Sequence, residues 1–248
     1  MDEVVFLIRN PRYAIPSYFS MKAELQFSSS WEQSFLRRPF TYTFRPSLDQ
    51  WWRWRNGNWY RQMNKWCFHI DFWMKGGLWG NYTDIGPVYS WHCDEGRHMK
   101  DCHPKEIIQF EKLYSTNEYV GATEALKLAT IMAGSPNMTL VPPDQRECLY
   151  KEVMNRPEFY NRNRDSHGPK TEEFFWHYTQ LDHMSKRLYE YAEKYSTGEW
   201  VNDRNAQILV PILMEYHEEV EAEYQVLASE YYAVHNFTQP RVNTTLYD

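Results

Sequence analysis

The 248 residues carry 33 acidic and 27 basic side chains, a formal charge of −6, with a pI near 5.9. That balance excludes a protein whose main task is coating nucleic acid, because neutralising phosphates requires a basic surface. At 30.1 kDa the chain has ample material for one buried core, and with aromatics at 17% and 11 Trp, that core, or a groove on it, is built from rings.

The first element is "VVFLIRNPRYAIPSYF", residues 4–19. The run over residues 3–8, apolar from Val4 on, shows no alternation and predicts a strand buried on both faces of a parallel sheet. Arg9 then sits at the carboxyl end of that strand, where open α/β sheets bind ligands. Asn10-Pro11 and Ile15-Pro16 each hold the residue before proline extended, and Pro16 is comfortable in a helix only in its first turn. A helix starting at Pro16 places Ser17 among the free backbone N–H groups at the positive end of the dipole. Arg9 and Ser17 then converge on one acceptor-rich group, a phosphate by preference. A start at Pro11 would instead put Ser17 about 9 Å along the axis, too far in to share it.

Within "NWYRQMNKWCFHIDFWM", residues 58–74, Trp59, Met63, Trp66, Ile70 and Trp73 recur at steps of three and four, the pattern of an amphipathic helix. Upstream of it, "RPSLDQWWRWRNGNWY" mixes Arg with Trp, a stripe suited to helix packing or a lid, and alternatively to stacking a sugar or a base. "WHCDEGRHMKDCH" offers His92, Cys93, His98, Cys102 and His103; a Cys93–Cys102 disulfide, free thiols and a zinc site all stay open, although the spacing follows no ordinary zinc pattern. "EIIQF", 106–110, is the second strand, and 121–134 a helix ending at Gly134 with Pro136 beyond. Helices follow at 179–195 and 202–232, the last one acidic. Arg162, Arg164 and Lys170 around Gly168 have the composition of an anion clamp on a loop, or of an ordinary solvated basic loop. His167, His177 and His183 read as loop or surface histidines.

"VVFLIRNPRYAIPSYF" resembles the 3′-phosphate-binding element of the sulfotransferase family: a strand, Arg-Asn-Pro-Arg, a short turn and Ser-Tyr, with Arg and Ser eight apart. Tyr13 departs from it, since many members carry Asp there. "EIIQFEKLY" and "EALKLATIMAG" are similar to the strand and helix that follow in those enzymes, and residues 161–184 to their late basic loop. The resemblance implies that Arg9 and Ser17 hold the 3′-phosphate of 3′-phosphoadenosine 5′-phosphosulfate, with Arg162, Arg164, Gly168 and Lys170 closing over the nucleotide. It also implies an α/β fold, a three-layer parallel sheet with flanking helices of the P-loop nucleotide-hydrolase type. Residues 1–233 would be a partial, helix-rich domain, incomplete at its N-terminus, and 234–248 a flexible tail. The family's 5′-phosphosulfate loop and base would precede residue 1, so the chain as written is expected to be truncated and inactive.

The activity implied is sulfuryl transfer to a hydroxyl acceptor, a carbohydrate by expectation, with no nucleic-acid partner. The alternative is a non-catalytic nucleotide- or sugar-binding protein with an aromatic-rich groove. Four Asn-X-Thr patterns, at Asn81, Asn137, Asn236 and Asn243, point to a secretory lumen. The family places such enzymes in the Golgi on an upstream membrane anchor; a cytoplasmic location is the alternative.

Overall fold

The computed structural model describes residues 5–26, 46–75, 103–133, 140–154 and 174–235. These form a mostly helical structure with one small parallel sheet. Strand β1 (Val5–Ile8) is followed by helix α1 (Pro11–Gln26), the long helix α2 (Leu48–Met74), strand β2 (Glu106–Gln109), short α3 (Phe110–Leu113), α4 (Glu118–Met132), α5 (Arg146–Met154), α6 (Tyr178–Ser196) and α7 (Arg204–His235). The two strands pair in parallel with Val5 opposite Glu106 and Ile8 opposite Gln109. Both strands lie where the sequence predicts them.

Their faces differ from expectation. In β1, Phe6 and Ile8 are buried but Leu7 is 50% exposed, so β1 buries one face rather than two. On that face Phe6 meets Trp73 of α2, ring centres 6.5 Å apart. Ile107, Ile108 and Gln109 of β2 are all buried.

α1 begins at Pro11, not at Pro16. Asn10 is the reason: its side-chain oxygen accepts the N–H of Arg12 at 3.0 Å, and its carbonyl accepts those of Tyr13 and Ala14 at 3.0 and 2.8 Å. Asn10 is thus an N-cap, and Pro11 takes the first helical position, which its missing N–H and fixed φ favour. Pro16 lies inside the helix, where it denies a hydrogen bond to the carbonyl of Arg12. The indole N–H of Trp176 supplies that bond at 3.1 Å, so the cost that argued for a later start is offset by a residue 160 positions downstream, at the entry to α6.

The other helices lie near their predicted ranges, with α2 starting at Leu48 rather than within 58–74, α4 at Glu118 rather than 121, and α6 spanning Tyr178–Ser196 against 179–195. α2 starts at a capping box in which Ser47 and Gln50 satisfy one another's backbone N–H groups. α4 is capped by Asn117, α6 by His177, and α7 by Asp203, which accepts the N–H of Ala206 at 2.8 Å. α7 continues to His235, past the boundary expected at 233. Helix α5, unmarked by any apolar period, escaped the sequence analysis. It packs on α4 through Tyr150, whose hydroxyl donates to the Leu113 carbonyl at 2.5 Å.

The core is aromatic. Trp51 is fully buried, with Phe19, Phe174 and Trp176 at ring-centre distances of 5.5, 5.2 and 5.3 Å. Its indole N–H and the buried Arg55 both donate to the Phe175 carbonyl at 2.9 Å, so α2 holds the segment leading into α6 by polar as well as apolar contacts. Further along, Asp71 of α2 accepts from Lys194, from Tyr195 at 2.6 Å and from Tyr191 at 3.0 Å. Burial pushes the Asp71 carboxyl up, but these three partners outweigh it and hold the group below its ordinary range. Leu181, Met184 and Leu188 of α6 meet Leu209, Leu213 and Val220 of α7 in the same core.

Two predictions follow from this packing. A methyl group on Gly121 would stand 2.0 Å from the Tyr150 ring, so Gly121→Ala should cost about 1–3 kcal/mol in urea unfolding, and Gly121→Ala in a Tyr150→Ala background should cost less. His69, His177 and His183 are each held below the usual imidazole pKa, foremost by burial and then by Lys65, Arg55 and Arg187 respectively. Neutral imidazole is therefore favoured in the fold and the unfolded chain binds protons first. Stability should be full above about pH 6.5 and fall as pH drops through the folded values. Urea midpoints at pH 7.5 and 5.5 measure the loss, which His183→Gln should reduce.

Candidate functional site

The carboxyl ends of β1 and β2, the start of α1 and the middle of α7 meet at Asn10, which is fully buried. Its backbone N–H donates to Glu111 at 3.0 Å and its side-chain amide to Glu219 at 2.9 Å. With the capping bonds, each of its polar groups has a partner, which a buried amide requires. Glu111 also accepts the Tyr216 hydroxyl at 2.7 Å, and Glu219 that of Tyr13. Burial and then Glu219 push Tyr13 up to about 12; burial and then Glu111 push Tyr216 higher. Both phenols are neutral donors at ordinary pH.

Glu215, Glu219 and Glu223 recur every four residues of α7, one stripe along the helix. Glu215 takes Gln109 at 3.0 Å and Lys112 at 2.8 Å. Glu223 takes Arg12 through two bonds of 2.5 and 2.9 Å, a fork with both side chains largely shielded. The acidic character of α7, which by itself reads as a solvated face, is spent on the strand ends and on the first turn of α1.

Arg9 differs from Arg12. Its guanidinium lies over the Phe110 ring at 4.5 Å, Nε is 3.9 Å from Glu111, and the side chain is 30% exposed. The Arg9 carbonyl accepts the Trp66 indole N–H at 2.9 Å. A long, partly exposed ion pair is worth about 1 kcal/mol or less, whereas a shielded, charge-assisted fork such as that of Arg12 is of the kind worth about 1.5–3 kcal/mol. Beside Arg9, a cavity of about 280 Å³ runs along the edge of β1 that β2 leaves open, lined by Val5 to Arg9 and by Trp66, His69 and Trp73.

Ser17 is partly buried in the second turn of α1. Because α1 starts at Pro11, Ser17 is not at the helix tip, and the expected sharing of one group through free N–H donors at Pro16 is corrected: Ser17 is about 9 Å along the axis. Arg162, Arg164, Gly168 and Lys170 lie outside the described residues, as do Cys93, Cys102, His167 and the four Asn-X-Thr patterns. Cys67 is buried, and its thiol is pushed up to about 11, foremost by burial, as a packed and unreactive group requires.

Sequence analysis missed the carboxylates. Glu111, Glu219 and Glu223 are 101 to 213 residues from Asn10 and carry no local signal, beyond the four-residue spacing on α7. Ser185, His217 and Glu221 form a second polar cluster, but Ser185 Oγ donates to Glu221 at 2.5 Å with His217 Nδ1 at 2.9 Å. Serine stands between the other two, so the proton path of an activated nucleophile is missing. Among the described residues no group of three or more His, Cys, Asp or Glu side chains is placed to hold a metal ion, and no helix is long and apolar enough to cross a membrane.

Asn10→Ala should cost about 2–4 kcal/mol, combining a lost cap with the loss of the amide donor to Glu219; the backbone N–H bond to Glu111 is kept. Glu219→Gln, whose oxygen can still accept from Asn10 while its amide N–H donates to the Tyr13 hydroxyl, should cost less in the same denaturant titration. Comparison with protein-family models, curated proteins and solved structures found no match.

Proposed function

We propose that this chain carries the 3′-phosphate half of a sulfotransferase donor site, and that β1 and β2 belong to a larger three-layer parallel sheet of the P-loop nucleotide-hydrolase type. One observation carries the reading: Arg9 stands, partly exposed and beside an open cavity, at the carboxyl end of a parallel strand pair, where sheets of this class bind ligands. Among the described residues no strand but β2 pairs with β1, which in this reading leaves an edge for a further strand. In this reading the 3′-phosphate of 3′-phosphoadenosine 5′-phosphosulfate meets Arg9 beside the first turn of α1, and Ser17, about 9 Å along the axis, does not share it. Phe110 orients the guanidinium by stacking, and the Asn10 network fixes the turn.

Arg162, Arg164 and Lys170, around Gly168, are proposed to close over the nucleotide. The chemistry served is in-line transfer: the acceptor oxygen bonds to sulfur, the bond from sulfur to the 5′-phosphate oxygen breaks, and the hydroxyl proton passes to a base. Positioned cations and donors stabilise the charge that develops. A carbohydrate hydroxyl is the proposed acceptor and the Golgi lumen the proposed setting.

Calorimetric titration with adenosine 3′,5′-bisphosphate and adenosine 5′-monophosphate tests the donor site without requiring turnover. Arg9→Ala should weaken the bisphosphate by about 1.5–3 kcal/mol, whereas Ser17→Ala, about 9 Å along α1, should weaken it little. The monophosphate, lacking the group that Arg9 grips, should bind weakly and lose little more in Arg9→Ala. Equal losses for both nucleotides in Arg9→Ala would make Arg9 structural and end the reading.

A further inference from the structure

The edge of β1 turned away from β2 is open among the described residues. In a strand, the N–H and C=O of one residue point to one edge and those of the next residue to the other. On β2, the N–H groups of Gln109 and Ile107 turn away from β1, to Glu124 at 2.8 Å and Glu106 at 3.2 Å. In the parallel register, with Phe6 opposite Ile107 and Ile8 opposite Gln109, the backbone groups of Phe6 and Ile8 therefore meet β2, and those of Val5 and Leu7 point outward. The Arg9 carbonyl, on the same outward edge, accepts the Trp66 indole N–H. Among the described residues, no backbone hydrogen bond from outside the strand pair reaches Val5 or Leu7. With the sequence Val-Phe-Leu-Ile, β1 also lacks the lysine, proline or bulge that commonly blunts an open edge. This edge is one wall of the cavity of about 280 Å³. The facing wall is one stripe of α2, Trp66, His69, Ile70 and Trp73, spaced three and four residues apart.

We infer that this slot takes an extended peptide from another polypeptide, paired with β1 as an added strand, apolar in its middle and acidic at its ends. Backbone geometry selects the occupant. Val5 and Leu7 each present a donor and an acceptor, about 6.8 Å apart. Another extended backbone repeats the same groups at the same interval; a sugar or a nucleotide does not. The side chains of the added strand would alternate between the α2 stripe and the side of Leu7, which is 50% exposed, so apolar residues suit both sets. Charge sets the ends. No carboxylate lines the slot, Arg9 stands at one end of it, and exposed Lys65 lies one turn before His69 on the α2 wall. The α2 wall also separates a peptide from a second copy: the slot is open to one chain, whereas the β1 of a second copy would arrive with its own α2 beside it. In the sulfotransferase reading this edge takes a further strand, and the inference names where that strand comes from; to that extent it rests on that reading, but the pairing itself needs no nucleotide.

Fluorescence anisotropy with a labelled heptapeptide, Asp-Val-Thr-Val-Phe-Val-Asp, tests it on the full chain. N-methylation of the three central residues, which removes backbone donors and keeps every side chain, should weaken binding about tenfold. Lysine in place of both aspartates should weaken it about threefold, and less at high salt. Leu7→Pro removes the outward N–H; an edge strand tolerates proline where its N–H faces away from the neighbouring strand, so the urea midpoint should hold while binding falls about tenfold. Should that variant not fold, the N-methylated peptide decides. Deuterium exchange of the Leu7 amide should be fast in the free chain and slow about tenfold with the peptide present. A Leu7 amide already protected in the free chain at every concentration means that the chain's own residues fill the slot, and protection that grows with protein concentration means a second copy. Equal binding of the N-methylated peptide means contact without pairing. Each of these overturns the inference, as does absence of heptapeptide binding. Titration of the wild-type chain with adenosine 3′,5′-bisphosphate alone decides the donor reading, so the two fail separately.

Discussion

The structure depends on one buried amide. Asn10 ends β1, caps α1 and, through Glu111 and Glu219, ties both to β2 and α7. A buried amide left unpaired costs about 1–3 kcal/mol for each orphaned group. The four groups of Asn10 can all be paired only if the acidic helix α7 lies across the strand ends with its four-residue stripe turned inward. That requirement sets the register of α7 against the sheet. It also sets the direction in which Arg9, one residue earlier, leaves the strand.

Tryptophan has a polar task here besides an apolar one. The indoles of Trp51, Trp66 and Trp176 each donate to a backbone carbonyl, those of Phe175, Arg9 and Arg12. The Arg12 carbonyl is orphaned by Pro16, the Arg9 carbonyl lies between strand and helix, and the Phe175 carbonyl precedes the first turn of α6. A large ring with a single donor at its edge can fill the core and reach such a group at once. The same residues that make the core also stiffen the turn that carries Arg9. Rigidity of that turn and the open cavity beside it are the two features on which the donor-site proposal leans.

The two arginines of Arg-Asn-Pro-Arg differ in what surrounds them, not in their chemistry. Arg12 meets Glu223 in a shielded fork and is a tie between α1 and α7; Arg9 stacks on Phe110 with a longer reach to Glu111. Two arginines of one four-residue motif thus divide into a brace and a candidate ligand contact. The Trp-Arg stripe of α2 divides in the same way: Trp51 is core, while Trp52, one residue on and so turned by 100° around the axis, is surface.

The sequence by itself determined the local elements: both strands, the Trp-bearing helix and the two final helices are visible in apolar periodicity, because side-chain spacing reports the repeat of the backbone. It also placed Arg9 at a strand end. What it could not determine is which local preference wins when two conflict. Pro16 argues for a late helix start and Asn10-Pro11 for an early one, and the choice fell to Trp176, far away in sequence, which supplies the bond that Pro16 removes. The faces of β1, the burial of Asn10 and the use of the α7 carboxylates were likewise decided only by tertiary packing. Hydrogen-bond partners and burial are set by distance in space, and a residue 209 positions away leaves no trace in the local pattern.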